Sequence, residues 1–448
     1  MNAYLLQHAW VDGRVRDAVL VEIEDGRFTR VAPDAPAAGA AGAAGATRVA
    51  GLSLPGFANT HSHAFHRALR GRTQADRGTF WTWREQMYAV AGRLEPDSYY
   101  ELARAVYGEM LAAGYTAVGE FHYLHHQPDG VPYADPNAMG EALLEAAREV
   151  GIRITLLDTL YLSSGFGAAT QGVQRRFDDG TPQAWQDRVD ALRVPADGSA
   201  GDGDGVRIGV AAHSVRAVPG GALKTFAPYV EAGAPVHIHL SEQVKENEDC
   251  LAAYGLTPTG LLAEHGVLGP TTSAVHATHL TDDDIRLLGE AHAFASFCPT
   301  TERDLGDGIG PSRRLKDAGA VLTLGSDSHA VIDAFEEMRA LEMDERLATQ
   351  ERGHWSAAEL LRAASSDGHR SLGFADAGEL AVGRRADLVT VDPGSARTAG
   401  TGGDEHSVVF AAGAPDITQV MVDGRVVFEG DHRSVGHTLH ETIGAIWA

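Results

Sequence analysis

The chain has 448 residues, 44% of them hydrophobic and 22% charged, with a formal net charge of −24. That length and apolar content suffice for one large α/β domain and a smaller one. The acidic balance argues against nucleic acid as a partner, and it requires individually placed Arg or Lys side chains to hold any anionic substrate. The two cysteines, Cys250 and Cys298, make no disulfide framework and no C-x-x-C pair, which suits a reducing cytoplasm. Cys298 reads as a buried small residue. The first residues lack the basic and apolar regions of a signal peptide, and no stretch approaches the ~18 apolar residues of a membrane helix. A cytoplasmic chain without a membrane partner is therefore expected.

In chain order, residues 1–54 read as short strands, with turn signals at Val11–Asp12–Gly13–Arg14 and Glu24–Asp25–Gly26–Arg27 between alternating runs. The Ala/Gly tract 35–47 reads as a surface loop. From 52 to about 375, strands and helices alternate. Strand candidates lie at 52–60, 116–123, 153–162, 207–214, 235–242, 273–280, 293–300 and 320–327, with helical runs such as 97–113 and 137–150 between them. Eight such units predict a (β/α)8 TIM barrel. The Gly/Asp-rich stretch 196–205 reads as a loop inserted before the fourth strand. After 375 the pattern returns to strands, at Leu388–Val391 and in a hairpin over Gln419–Phe428. The expected organisation is a catalytic barrel over 55–375 and a small discontinuous β-sandwich domain built from 1–54 and 376–448. No internal repeat is found.

Chemistry concentrates at the C-terminal ends of the candidate barrel strands, where parallel barrels place their sites. His61 and His63 end the first strand as an H-x-H pair, whose side chains share a face because strands alternate with period 2. His239 and Glu242 end the fifth strand, His276 lies in the sixth, and Asp327 ends the eighth. A single histidine among 21 is more often structural or on the surface; the combination at four strand ends is what points to a metal-dependent hydrolase. Three imidazoles and one carboxylate, from His61, His63, His239 and Asp327, suit one Zn²⁺ with an open position for water, and water bound there ionises near pH ~7. Asp327 is then suited to accept the proton of that water, Glu242 to protonate a leaving nitrogen, and His276 to hydrogen-bond a tetrahedral centre. His237 is read as facing away from His239, in a packing role or in support of the ligands from behind. His279 and His329 are weaker candidates for ligand or supporting positions.

These residues resemble those of the amidohydrolase superfamily over nearly the whole chain. Pro55–Gly56–Phe57–Ala58–Asn59–Thr60–His61–Ser62–His63 resembles its first-strand motif, and the run Gly378–Val389 resembles its return to the β domain. No Lys stands at the end of the fourth strand, in Ala211–Ala212–His213–Ser214, so the resemblance is to the mononuclear branch. Within it the chain is most similar to the formimidoylglutamate deiminase family. The matching segments are His61–Phe65, Phe80–Glu85, Glu120–His126, His213–Val218 and Gly325–His329. The resemblance implies hydrolysis of N-formimidoyl-L-glutamate to N-formyl-L-glutamate and ammonia in histidine degradation, and a homodimer. It also implies substrate contacts from Arg84, Arg216, Tyr123 and His213. Guanidinium forks suit the two carboxylates of that substrate. The chain departs from the family at His66, where a Gln is usual; His66 is itself a candidate hydrogen-bond donor to the substrate.

Two other functions are weighed. A deaminase of a purine or pterin ring would need a stacking surface, for which Trp81 and Trp83 are the candidates, whereas paired Arg residues favour a dicarboxylate. A barrel serving only as an assembly protein would have no reason to keep four candidate ligands together with Glu242.

Overall fold

A computed structural model describes residues 2–34, 45–74, 80–193 and 205–448, without the side chains of Phe80 and Trp81. The Ala/Gly tract expected as a loop and the insertion expected at 196–205 fall almost entirely outside the described residues. The strands are β1 (Asn2–Val11), β2 (Arg14–Glu24), β3 (Arg27–Ala32), β4 (Thr47–Pro55), β5 (Phe57–Ser62), β6 (Tyr115–His122), β7 (Arg153–Leu160), β8 (Val206–Ser214), β9 (Val236–Leu240), β10 (Thr272–His276), β11 (Phe294–Phe297), β12 (Val321–Leu324), β13 (Leu388–Val391), β14 (Ile417–Val422) and β15 (Arg425–Phe428).

Strands β5 to β12 pair only in parallel, each with the next in sequence. Ser62 at the end of β5 bridges Asp327 beyond β12, and the Asp327 N–H donates to the His61 carbonyl oxygen at 2.9 Å. First and last strands therefore meet, and the predicted (β/α)8 barrel closes at its C-terminal end. Every position of β6 and β7 is buried, as expected of strands covered on both faces. The covering helices have one apolar face. In Ala138–Val150, Met139, Leu143, Leu144, Ala146 and Ala147 are buried, and Gly151 ends the helix at φ 82°, where a side chain would be strained.

The remaining strands, from both ends of the chain, form one mixed sheet in the order β15-β14-β13-β4-β1-β2-β3. The small domain expected as a sandwich is thus hydrogen-bonded as one continuous sheet. The predicted hairpin is β14–β15, turning at Asp423–Gly424. The single strand expected at 52–60 is instead two. Residues up to Pro55 pair with β13 in the terminal sheet, and those from Phe57 pair with β6 in the barrel. The break is at Gly56, where a Cβ would overlap the Thr116 side chain, so the chain can pass there only without one.

Beneath this junction the barrel floor carries a buried ion pair. Arg153, at the start of β7, forks onto Asp387, with Nη1 at 3.1 Å from Oδ1. Burial would raise the Asp387 pKa, but Arg153 outweighs it and holds the carboxyl below its usual range. The helix His432–Trp447 has no counterpart in the expected strands after 375. Its Trp447 Nε1–H donates to the Ala68 carbonyl oxygen at 2.9 Å, tying the end of the chain to the segment that follows β5.

Candidate active site

His61, Ser62 and His63 emerge at the end of β5, where the chain is pinned by buried polar pairs. Asn59 Nδ2 donates to Ser326 Oγ at 2.7 Å, and the Ser326 N–H donates back to Asn59 Oδ1 at 3.0 Å, locking β5 beside the segment that carries Asp327. His239 arrives from across the barrel, at the end of β9. One ligand atom each of His61, His63, His239 and Asp327 lies within 4.8 Å of all the others, and all four residues are buried. His61 Nε2 is 3.0 Å from His239 Nε2 and 3.4 Å from Asp327 Oδ1, and His63 Nε2 is 3.2 Å from the same oxygen.

Atoms bound at ~2.0–2.2 Å in a tetrahedral site stand about 3.3–3.6 Å apart, so this spacing fits a shared metal ion. The tautomers fit too. His63 Nδ1–H donates to the Phe121 carbonyl oxygen at 3.0 Å, and His239 Nδ1–H donates to the His213 carbonyl oxygen at 2.8 Å. Each neutral ring then turns an unprotonated Nε2 toward the common point, the arrangement in which an outer hydrogen bond orients a ligand. Burial is the largest influence keeping His61 neutral, and its pKa falls to about 3.

His276 lies against this group, with Nε2 4.0 Å from both Glu242 Oε1 and Asp327 Oδ2. Its Nδ1–H faces Glu302 Oε1 at 3.3 Å. Burial opposes its protonation, but Glu242, Glu302 and Asp327 outweigh burial and raise its pKa to about 10. A divalent ion at the four ligand atoms would oppose them through its own charge. Several side chains here hang from left-handed backbone: Ser241 (φ 52°), His276 (φ 68°), Ala277 (φ 50°), Asp327 (φ 39°) and His329 (φ 58°). Such conformations cost of order 1–3 kcal/mol each and gather at functional sites.

A pocket opens over the cluster, and Glu242, His66, Arg84, Tyr123, His213 and Arg216 all line it. The structure thus brings together the four candidate ligands, Glu242, His276 and the candidate substrate contacts of the sequence reading. Arg216 Nη2 is 3.8 Å from Glu242 Oε2, and its Nε is 3.5 Å from Glu246 Oε2. His66 Nε2 and the Tyr123 hydroxyl are 3.1 Å apart. Trp83 forms part of the wall, edge-on to His66, whereas the side chain of Trp81 lies outside the described residues.

The expectation for His237 is corrected. Residues two apart on a strand share a face, and His237 is buried beside His61, on the same face as His239 and one step deeper. His329 stands behind the cluster, with Nε2–H donating to Ser62 Oγ at 2.9 Å while the Ser62 hydroxyl donates to Glu120 at 2.7 Å. His279 is outside the group of four. The sequence reading missed Glu302, Tyr88 and Tyr161. Tyr161 directly follows β7, so the strand-end rule could have found it, and Tyr88 stands one helical turn after Arg84, on the same face, whereas Glu302 sits on a helix with no motif around it.

A model of the amidohydrolase family matches residues 52–427, and the chain belongs to that family. It is 38% identical to a formimidoylglutamate deiminase of Pseudomonas aeruginosa, over 96% of each chain. Among solved structures, an amidohydrolase from Brucella melitensis matches all of both chains with a TM-score of 0.89 at 31% identity. An atrazine chlorohydrolase from Arthrobacter aurescens, complexed with zinc, shares the fold at a TM-score of 0.86 and 22% identity, over 99% of this chain and all of that one.

Proposed function

We propose that the protein hydrolyses N-formimidoyl-L-glutamate to N-formyl-L-glutamate and ammonia, a step of histidine degradation, with one Zn²⁺ per subunit. The observation that carries this reading is the meeting of a candidate metal cluster and two guanidinium groups in one pocket. His63, His239, Asp327 and Glu242 line it together with Arg84 and Arg216. A substrate that combines an amidine with carboxylates matches that combination. Near-full-length similarity to the Pseudomonas deiminase supports the same substrate. The zinc of the triazine enzyme that shares the fold supports the choice of metal. A cytoplasmic location and a homodimer belong to the same proposal; no described helix is long and apolar enough to cross a membrane.

Bound at the four ligand atoms, Zn²⁺ would lower the pKa of a water to about 7. The chain's own groups do the rest. Burial tends to raise the Asp327 pKa, but the adjacent His61 and His63 imidazoles and the charge of His276 outweigh it and hold the carboxyl well below its usual range. Asp327 is thus ionised and accepts a proton as water adds to the formimidoyl carbon. His276 Nε2–H donates to the oxygen that has been added. Glu242 delivers a proton to the departing nitrogen, so ammonia leaves and a formyl group stays on the amide nitrogen. Arg84, Arg216, Tyr123, His213 and His66 hold the glutamate part.

The test is ammonia release from N-formimidoyl-L-glutamate by Zn²⁺-loaded protein, with metal-stripped protein as control. Metal-dependent release with stoichiometric N-formylglutamate is expected. Absence of release from fully loaded protein would discard this substrate.

A further inference from the structure

Tyr88 and Tyr161 stand in the pocket wall beside Arg84 and Arg216. Both phenol oxygens accept a hydrogen bond from the same nitrogen: Gln174 Nε2 lies 3.0 Å from Tyr88 and 3.2 Å from Tyr161. The orientation of that amide is decided by its other end. The Gln171 backbone N–H, which can only donate, meets Gln174 Oε1 at 3.2 Å. The oxygen is thereby identified, and both amide protons must point at the phenols. A phenol that accepts from an amide still has its own proton to give. Among the described residues, neither Tyr88 nor Tyr161 donates that proton to a protein acceptor. Two O–H donors are therefore left facing a pocket that also holds two guanidinium groups.

The assembly is built to keep this arrangement. Gln174 lies in the short helical turn Gly172–Arg176. The next residue but one, Arg176, is fully buried and clamps the turn. Its Nε donates to the His126 carbonyl oxygen at 2.8 Å, and Nη2 donates to that of Leu94 at 2.7 Å. Nη1 donates to the carbonyl oxygen of Ala91, the last residue of the helix Phe80–Ala91 that carries Arg84 and Tyr88. The Arg84 guanidinium carbon sits 5.3 Å from the centre of the Tyr88 ring. Tyr161 is buried and Tyr88 half-buried, and an anion in the pocket would accept from both hydroxyls at once.

We infer that Tyr88 and Tyr161, their hydroxyl protons turned into the pocket by the Gln174 amide, complete with Arg84 and Arg216 a four-residue site for one carboxylate of the substrate. Tyr88 and Tyr161 are substrate-binding residues in this scheme, and Gln174 is a positioning residue that acts through them. The inference rests on the proposal that the substrate is a dicarboxylate. It adds that discrimination against uncharged amidines comes from hydroxyl donors as well as from guanidinium charge.

The test compares Tyr88→Phe, Tyr161→Phe and Gln174→Glu by steady-state kinetics on N-formimidoyl-L-glutamate, with zinc content and circular dichroism confirming folded, loaded protein. A hydrogen bond to a charged group is worth about tenfold or more in affinity, so each Phe variant is expected to raise KM about tenfold while kcat stays within about twofold. Gln174→Glu replaces the donors by acceptors and draws the phenol protons back onto itself. It is expected to raise KM as the Phe variants do, without touching substrate. Wild-type turnover with KM unchanged in all three variants would overturn the inference while leaving the proposed function standing. If the wild type does not turn the substrate over, calorimetry with glutarate decides: binding that weakens about tenfold in Tyr161→Phe upholds the carboxylate site, and no binding overturns it.

Discussion

Glu242 and Arg216 occupy one corner of the pocket, 3.8 Å apart, yet their proposed tasks differ and so do the consequences of losing them. Glu242 moves a proton and is outside the group of four candidate ligands, so Glu242→Gln should lower kcat by about 10²–10⁴-fold with metal content unchanged. Metal analysis that showed an empty site in this variant would make Glu242 a ligand instead. Arg216 is assigned to binding. Arg216→Met should raise KM for the dicarboxylate by about tenfold or more and alter kcat less; an unaltered kcat/KM would remove it from that role. Burial raises the pKa of Glu246 to about 7 although Arg216 opposes this, so the same variant leaves a buried acid with a weaker hold on its charge.

At the level of elements, the passage from terminal sheet to barrel depends on one residue without a side chain. A Cβ on Gly56 would meet Thr116, whose hydroxyl also lies 3.2 Å from His369 Nε2. Gly56→Ala should therefore destabilise the fold by about 1–3 kcal/mol, measured as a lower urea midpoint. An unchanged midpoint would show that the junction can shift freely. His369 gives this region a pH dependence. Burial, and then the charge of Arg153, lower its pKa to about 4, whereas in the unfolded chain it titrates near 6.5. Between those values only the unfolded chain takes up the proton. The stability tied to His369 is complete above pH 6.5 and falls as the pH drops toward 4, by about 1.4 kcal/mol per unit. The stability advantage of wild type over His369→Gln should accordingly shrink across that window; a difference independent of pH would contradict the assignment.

For the molecule as a whole, the proposed metal joins strand ends that are far apart in sequence. His61 and His63 follow β5, His239 ends β9, and Asp327 follows β12. An ion that binds only the folded arrangement stabilises it by about 4 kcal/mol when free metal exceeds Kd a thousandfold. Stripping the protein with a chelator should abolish ammonia release and lower Tm, and one equivalent of Zn²⁺ should restore both. A Tm insensitive to verified metal removal would mean that the cluster is held by the protein alone.

The alternation of apolar strands and amphipathic helices from 52 to 375 by itself determined the barrel, because eight parallel strands with covering helices leave few other ways to bury both faces of a sheet. It also determined which histidines and acids stand at strand ends, since strand period and barrel polarity are local rules. Tertiary structure decided what local rules do not reach. The break at Gly56 depends on Thr116, a residue of another strand. The inward face of His237 follows from period 2 correctly applied, but its place beside His61 depends on barrel closure. Gln174, which donates to both Tyr88 and Tyr161, lies on a turn that Arg176 ties to the end of the helix carrying Tyr88. Periodicity fixes the direction of a side chain within its own element, whereas the partner it meets there is set by the packing of elements distant in the chain.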